Sequence, residues 1–509
     1  MRRIYTFLII TFITVQFSFA QAVPDDTILN TIKNIKTEAV KNPQTINYVT
    51  YLSDVIGSRV TWSPGFNKSV DWAVGKLSEM GLSNSHTEEW EPLGKSWEVK
   101  RTVFNQSTPY FSNLIASPKH FSPGTKGVIK GKAVYIDAKT EADLEKYKGK
   151  LKGTIVFVLP VPNLKLNYEP FIKRYNDADI KKFTEAVIPS DEEKKKEKEL
   201  KESNEKITLE YFRFANKRIE FCMNEGAAAI VEYGGRLYGT NQGLSALLPV
   251  QLTSIDELFY AASKPKAPKT LPQILLSLEQ YDSIIRTLKC GVEVNLEVDV
   301  EVENDKVRKG QNVIAEIPGT DLKNEIVIIG AHIDTQGPSI GATDNAAGVA
   351  VCMEAMRLLK QIGAQPRRTI RICLWGGEEQ GYLGSKEYVA KHFAANQGNE
   401  KCYMYFNTDN GAGKFRGIYM EERSDLVPVM KKWFDKVDMN LITTISKTMN
   451  TDHESFNEKG IAGFQFIQDM LDYYRIYHTN MDRIERIPLE DARDNAIIMA
   501  GLAYLAAVE

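Results

Sequence analysis

Cysteine and histidine are scarce in this chain, and neither sign of charge is in excess. The 509 residues include five cysteines, none in C-x-x-C spacing, which excludes a dense disulfide framework and a cysteine-based zinc ribbon. The 64 lysines and arginines balance 66 aspartates and glutamates, so no general basic surface for nucleic acid is expected. A hydrophobic fraction of 43% excludes a wholly disordered chain. The length predicts two or three domains.

Long apolar runs are absent beyond the first 20 residues. Residues 1–20 combine a pair of arginines, an apolar core over 4–15 and a small-x-small ending at 18–20, a pattern typical of a secretory signal peptide cleaved after Ala20. The core is shorter than the roughly 20 residues of a membrane span, which disfavours the alternative of an uncleaved anchor. We therefore expect a secreted or periplasmic protein without a stable membrane span.

Three regions of the chain differ in their sequence patterns. Residues 21–108, largely helical between 25 and 82, are predicted to form the N-terminal part of the main domain. Residues 109–299 contain short β-type runs, which predict a smaller β-rich inserted domain. Inside it lies a charged excursion over 164–210. Its almost entirely charged part, 191–206, predicts a solvated helix or mobile excursion, with a partner-binding tail as the alternative. Residues 300–509 are predicted to form the main part of the main domain.

Strand-like and helical stretches alternate in this last region. The strand-like runs are 313–317, 326–331, 369–375, 402–407 and 463–467. A helix is predicted over 346–361. Such alternation predicts an α/β fold, with a mixed, mainly parallel sheet and helices on both faces.

Polar side chains capable of chemistry follow the ends of these runs. They are His332, Asp334, Asp344, Glu378, Glu379, Asp409 and His478. Sites in open parallel sheets form outside the carboxyl ends of the strands, so we expect these residues to converge. Each signal alone is weak, because H-x-D triplets, paired glutamates and aspartates before helices are common. Their order and context together indicate one shared site.

Two imidazoles and three carboxylates of this set suit a pair of divalent cations. The candidate ligands are His332, Asp344, Glu379, Asp409 and His478. They suit zinc, with cobalt or manganese as alternatives. Two cations, three carboxylates and one bridging hydroxide would sum to zero charge, which lowers the cost of burial. Glu378 stays free to act as a general base, and Asp334 lies on the same side of the strand as His332 and is placed to orient it.

Several segments taken in order resemble the M28 family of zinc peptidases, in particular its carboxypeptidase Q (plasma glutamate carboxypeptidase)-like branch. They are GAHID, GATDNAAGVA, WGGEEQGYLGS, NTDNGAG, DHESF and YHTNMD, with GSRVTWSPGFNKSVDWAVGKLSEMGL near the N-terminus. The resemblance implies that the inserted domain is a protease-associated (PA) domain. The charged stretch 164–210 has no counterpart in it.

The same resemblance implies a role for each site residue. Asp344 would bridge two zinc ions, His332 and Asp409 would complete one, and Glu379 and His478 the other. Glu378 would be the general base and Asp334 the residue that orients His332. A cis peptide bond is implied between Asp344 and Asn345.

Residues beyond the ligand set have open interpretations. His453 lies where the family places a substrate-pocket segment, and a structural contact is the alternative. Tyr473 and Tyr474 precede His478 and are candidates for the pocket wall, with core packing as the alternative. A Cys222–Cys290 bridge stays open, whereas the other three cysteines lie in apolar runs that predict buried thiols.

Together these observations predict an exported two-zinc exopeptidase acting on peptides or dipeptides. Its chemistry is expected to be that of an aminopeptidase or dipeptidase, although the name of the carboxypeptidase branch leaves the polarity open. Two rivals remain: a one-zinc glutaminyl cyclase, and a non-catalytic binding or receptor protein on the same fold. A peptide is the expected partner, nucleic acid is not, and a homodimer is compatible with the sequence.

Overall fold

The computed structural model describes residues 23–162, 165–235, 239–304, 306–337, 339–393 and 400–509. The signal peptide predicted at 1–20 lies outside the described residues. Sixteen strands of the described chain form two eight-stranded sheets. The strands are β1 Ser83–Lys95, β2 Glu98–Thr108, β3 Ser112–Asn113, β4 Ala116–Pro118, β5 Ile129–Tyr135, β6 Ile155–Phe157, β7 Ala229–Tyr233, β8 Gln273–Leu276, β9 Asn295–Glu303, β10 Val307–Ile317, β11 Leu322–His332, β12 Arg368–Trp375, β13 Lys401–Asn407, β14 Phe415–Tyr419, β15 Ile442–Thr444 and β16 Gly463–Gln468.

Fourteen α-helices are found in the same ranges. They are α1 Asp25–Lys41, α2 Thr45–Thr50, α3 Pro64–Glu79, α4 Glu141–Leu144, α5 Asp177–Thr184, α6 Asp191–Asn224, α7 Asp256–Tyr260, α8 Leu278–Lys289, α9 Ala347–Gln361, α10 Leu383–His392, α11 Val427–Val437, α12 His453–Asn457, α13 Tyr473–Ile476 and α14 Leu489–Val508. None of these helices combines the length and the apolarity needed to cross a bilayer.

The first sheet has the order β1-β10-β12-β11-β13-β16-β14-β15. Its central neighbours β12, β11, β13 and β16 run parallel. The pairs β1–β10, β10–β12 and β14–β16 are antiparallel, and the edge strand β15 is parallel to β14. This confirms the expected mixed, mainly parallel α/β sheet. The five strand-like runs of the sequence lie within β10, β11, β12, β13 and β16.

Helices cover both faces of this sheet because its strands alternate apolar side chains between two cores. Along β11, Val327 and Ile329 belong to a large cluster shared with α1, α3, α9 and α14. The intervening Ile328 belongs to a smaller cluster on the other face, with Tyr388 of α10 and Phe456 of α12. A strand that is buried on both faces is apolar at nearly every position, and this is why the sequence alone predicts these strands.

The second sheet has the order β3-β2-β9-β5-β6-β7-β8-β4, and β5 to β8 are parallel neighbours. We refer to residues 98–303 as the second-sheet unit. The chain enters it after β1 and leaves it before β10, and these two strands pair with each other. The unit has apolar clusters of its own. The domain limits at 109 and 299 and the PA assignment stay predictions.

The last part of the charged stretch, residues 191–210, forms the first half of a long helix. Helix α6 has 34 residues, begins with a capping box of Ser190 and Glu193, and buries side chains only from Ala215 onward. The five cysteines are free, and Cys290 alone is exposed. Cys222 and Cys290 are therefore not bridged.

Candidate metal centre

The predicted site residues meet at the carboxyl edge of the first sheet. His332 is the last residue of β11, and the paired glutamates Glu378 and Glu379 follow β12. Asp409 follows β13, and the loop after β16 leads to His478. Because these strands are parallel neighbours, their carboxyl ends open onto one crevice.

Asp344 lies between the two histidines. Its Oδ1 is 3.1 Å from His332 Nε2, and its Oδ2 is 2.9 Å from His478 Nε2. Asp409 Oδ1 is 3.4 Å from the same His332 nitrogen, and Glu379 Oε2 is 3.0 Å from the His478 nitrogen. The structure thus brings all five predicted ligands together, with the two ligand sets meeting at one carboxylate.

Two sets of three side chains are close enough to hold an ion each. We call His332, Asp344 and Asp409 the His332 group, and Asp344, Glu379 and His478 the His478 group. Within each group the ligand atoms lie within 4.8 Å of one another. A third, overlapping set of the same kind joins Glu378 to His332 and Glu379.

The donor chemistry of this cluster fits divalent cations. Two imidazoles and three carboxylates match zinc, cobalt or manganese. Glu379 Oε1 is buried and has no hydrogen-bond partner among the described residues, a costly state for a carboxylate oxygen without a cation. Burial also raises the pKa of Glu379 to about 6, against the lowering effect of His478. A bound cation would relieve both features.

Asp334 connects His332 to Glu378. The His332 Nδ1 lies 3.2 Å from the Asp334 carbonyl oxygen and 3.6 Å from its carboxylate Oδ1. That Oδ1 accepts the Glu378 N–H at 3.3 Å, and Oδ2 accepts the Thr61 hydroxyl at 2.7 Å. Asp334 thus lies next to both the imidazole of His332 and the backbone of Glu378, and part of its contact with the imidazole is made by its own backbone.

The turn that presents Asp344 is held by Asp482, a residue that the sequence interpretation left without a role. Asp482 accepts the Thr343 N–H and hydroxyl, both at 2.7 Å, and the Asp344 N–H at 3.1 Å. The peptide between Asp344 and Asn345 is cis, as the resemblance implies. Asp482 is the last residue of the YHTNMD segment, so the segment itself was the available signal.

Arg59 is a second residue that sequence reasoning missed. It is fully buried beneath the site and donates to the carbonyls of Ile333 at 2.8 Å, Ile340 at 2.7 Å and Gly341 at 3.0 Å. Burial lowers its pKa to about 10, against the raising effect of Asp482 and other nearby carboxylates, so the side chain stays cationic. It lies in the GSRVTW segment, where only the resemblance marked it.

The three predicted pocket residues have different surroundings. His453 is fully buried, with its Nε2 3.5 Å from Glu421 Oε1, and it belongs to neither ligand group. The Tyr473 ring packs against Gly411 of the NTDNGAG segment, where an added Cβ would lie 3.0 Å from the ring. Tyr474 is 69% exposed. Their roles toward substrate stay predictions.

A comparison with known families identifies the part of the chain that carries the cluster. The family model "Peptidase family M28" matches residues 312–503, a range that contains every residue of both groups. Residues 312–503 form a peptidase family M28 domain. The second-sheet unit lies outside the matched range.

The chain is also similar to curated relatives and shares its fold with solved structures. Carboxypeptidase Q from Mus musculus is 24% identical over 238 residues, which are 47% of this chain and 50% of that protein. The chain spans about half the length of the curated relatives it matches. A peptidase M28 precursor from Shewanella amazonensis shares the fold, with a TM-score of 0.66, 22% identity and coverage of 96% and 98% of the two chains. A zinc aminopeptidase from Bacillus subtilis also shares it, with a TM-score of 0.56, 17% identity and coverage of 90% and 93%.

Proposed function

We propose that the protein is an exported two-zinc exopeptidase that hydrolyses a terminal peptide bond of peptides or dipeptides. One observation carries the proposal: the two carboxylate oxygens of Asp344 face two different histidines, at 3.1 and 2.9 Å. A carboxylate shared in this way suits a pair of cations rather than one. The M28 match and the names of the relatives, a carboxypeptidase and a zinc aminopeptidase, support the hydrolase class.

In this proposal the His332 group holds one cation and the His478 group the other. Zinc is the first choice, and cobalt or manganese suits the same donors. When bound, the cations supply Lewis-acid activation of a water molecule and of the scissile carbonyl. Arg59 and Asp482 hold the turn that presents Asp344 to both groups.

Glu378 is the proposed general base. Glu378 is 8% exposed and belongs only to the third of the three candidate sets, not to the His332 or the His478 group. Its backbone N–H donates a hydrogen bond to the Asp334 carboxylate. Burial raises the pKa of Glu378 well above its usual range, and the charges of Asp409 and Glu379 add to this. A carboxyl group with a raised pKa can take a proton from the attacking water and deliver it to the leaving amine.

The remaining assignments concern the surroundings of the cluster. We assign Tyr473 and Tyr474 to the wall of the substrate pocket, with His453 supporting it from a buried position. The second-sheet unit is proposed as a PA-like domain. Export rests on the signal-like residues 1–20.

A panel of dipeptides and amino-acyl reporters, assayed with and without a chelator, tests the function. We expect cleavage that the chelator abolishes and zinc restores. The Glu378→Gln variant should keep two zinc ions per chain and lose about 100- to 10,000-fold in turnover, the usual contribution of a general base. Glu325→Gln is the matched control, because Glu325 lies on β11 roughly 20 Å before His332 and pairs with Arg368.

Other results would replace the proposal with a named rival. Cleavage that survives the chelator would contradict metal-dependent hydrolysis. Two bound zinc ions without cleavage of any panel member would favour a binding protein. One zinc ion with cyclisation of an N-terminal glutamine would favour a glutaminyl cyclase.

A further inference from the structure

The backbone of His478 itself is contacted by the second-sheet unit, through residues 239–246, which we call the anchor segment. The Gly243 N–H donates a hydrogen bond to the His478 carbonyl oxygen at 2.6 Å. Beside it, Gln242 and Thr479 form an antiparallel bridge. A proposed ligand of the M28 domain is thus bonded directly to the other unit of the molecule.

Asn480 completes this contact with its side chain. Its Oδ1 accepts the Asn241 N–H at 2.7 Å, and its Nδ2 donates to the Gly239 carbonyl at 3.3 Å. A side-chain amide offers one accepting and one donating end, so Asn480 satisfies two backbone groups of the anchor segment at once. It does so two residues after His478.

The anchor segment is in turn fixed to the second sheet. The buried Asn241 side chain donates to the Ser117 hydroxyl in β4 at 2.8 Å and to the Leu275 carbonyl in β8 at 3.0 Å. The His120 N–H donates to the Leu244 carbonyl at 2.9 Å. The anchor segment is therefore held by a sheet that has its own core, and not by a free loop.

A glycine pair lets the anchor segment approach the other side of the site. A Cβ added to Gly337 would lie 2.5 Å from the Gly243 Cα, closer than any side chain tolerates. Gly337 lies five residues after His332, and its φ of +81° is one that L-residues avoid. The anchor segment thus fits between the two chain stretches that carry the histidines.

The opposite end of the His478 loop, residues 469–482, is also held by the second-sheet unit. The fully buried Asp469 accepts the Tyr175 N–H and an Arg174 Nη1 hydrogen bond, both at 3.0 Å. The Lys173 N–H donates to the Leu471 carbonyl at 3.3 Å. These partners belong to the charged excursion that has no counterpart in the family resemblance.

His478 needs such outside support more than His332 does. Its φ is +59°, a conformation that non-glycine residues hold only when their surroundings enforce it. Its side chain is 19% exposed, and the described chain contacts it through its Nε2 and its carbonyl oxygen. The direction of its Nε2 toward Asp344 and Glu379 is therefore set through the backbone.

We propose that the second-sheet unit is a structural part of the metal centre, with Asn480 as the positioning residue that transmits its support to His478. The inference rests on the proposed two-cation function. It implies that loosening the anchor segment weakens the cation of the His478 group and leaves the cation of the His332 group unchanged.

The test is a zinc titration of the metal-free full chain against a chromophoric chelator. The His478→Ala variant identifies which of the two binding steps belongs to the His478 group. We expect Asn480→Ala to weaken that step by about 10- to 100-fold, the usual cost of losing an outer contact of a ligand, and to leave the other step within twofold. Asn457→Ala is the matched control, since this half-buried asparagine also makes two backbone hydrogen bonds, both to Gly463.

A second variant changes the contact between the two units within the second-sheet unit itself. Asn241→Ala removes the link between the anchor segment and β4 and β8, and it should weaken the same step. The double variant with Asn480→Ala should lose less than the sum of the two, because both act through one segment. A urea unfolding midpoint for each variant separates this effect from loss of the fold.

Each outcome decides the inference. Equal weakening of both steps, or no weakening by either variant, overturns it while the two-cation function stands. A wild-type chain that binds no second zinc ion overturns both, because no cation of the His478 group then exists to be positioned.

Discussion

The two ligand groups share Asp344 and differ in what supports their histidines. His332 ends a central strand, is fully buried, and has its Nδ1 next to Asp334, two residues further along the same chain. His478 lies on a loop in a left-handed conformation, is partly exposed, and is bonded through its carbonyl to residue 243. One histidine is fixed by local sequence, the other by a contact between residues far apart in the chain.

This difference indicates two levels of rigidity in one cluster. Strand ends in a buried parallel sheet are among the most stable parts of a fold, whereas loops at a boundary between units open more readily. The cation of the His332 group is therefore expected to bind to a preformed site. We expect the binding of a cation in the His478 group to depend on how firmly the second-sheet unit is docked.

The largest expected effect removes what the two groups share. Asp344→Ala takes one ligand from each group, so both zinc ions should be lost on dialysis and turnover should fall by at least about a hundredfold, since cations contribute several kcal/mol to such reactions. Elemental analysis of the dialysed variant and turnover on the best dipeptide measure this.

A surface aspartate provides the control for that change. Asp321 pairs with Arg367 at the opposite end of the first sheet, and Asp321→Ala should keep both ions. Retention of one zinc ion by Asp344→Ala would show that the carboxylate belongs to a single group. It would contradict the sharing of Asp344 by the two groups.

The positions of the residues around His332 could largely be predicted from the sequence, because they depend on short segments of chain. The strand runs, the residues that follow them and the H-x-D spacing of His332 and Asp334 all lie within short segments of chain. Parallel strand order then brings their ends together. The same reasoning placed Glu378 and Glu379 after β12 and Asp409 after β13.

The residues that hold the site in place could not be predicted from the sequence, because each of them joins segments that are distant in the chain. Arg59 binds carbonyls some 270 to 280 positions away, and Asp482 binds the Asp344 turn across 138 positions. The contact of Asn480 with Asn241 spans 239 positions. A buried arginine or aspartate and a surface one have the same local pattern, so only the fold distinguishes them.

A change at Asp334 should weaken cation binding in the His332 group and leave the His478 group unaffected. Asp334→Asn keeps the size of the side chain and removes its charge near His332, so the binding step of the His332 group should weaken by about 10- to 100-fold, equivalent to about 1.4 to 2.7 kcal/mol. The step of the His478 group should stay unchanged, the reverse of the result expected for Asn480→Ala. Zinc titration of both variants side by side measures the pattern, and identical patterns would mean that the groups are one unit.

The smallest expected effect concerns acid and the support of the His478 group. Burial lowers the pKa of His120 to about 3, with Lys119 as a further lowering charge, whereas an unfolded histidine has a pKa near 6.5. Below pH 6.5 the unfolded chain therefore binds a proton that the native chain does not, so stability falls as the pH falls. Between pH 6.5 and 5.5 this one residue should cost about 1 kcal/mol. Urea midpoints at the two pH values should differ less for His120→Gln than for the wild type, and an equal difference in the two proteins would remove His120 as the source of acid sensitivity at the anchor segment.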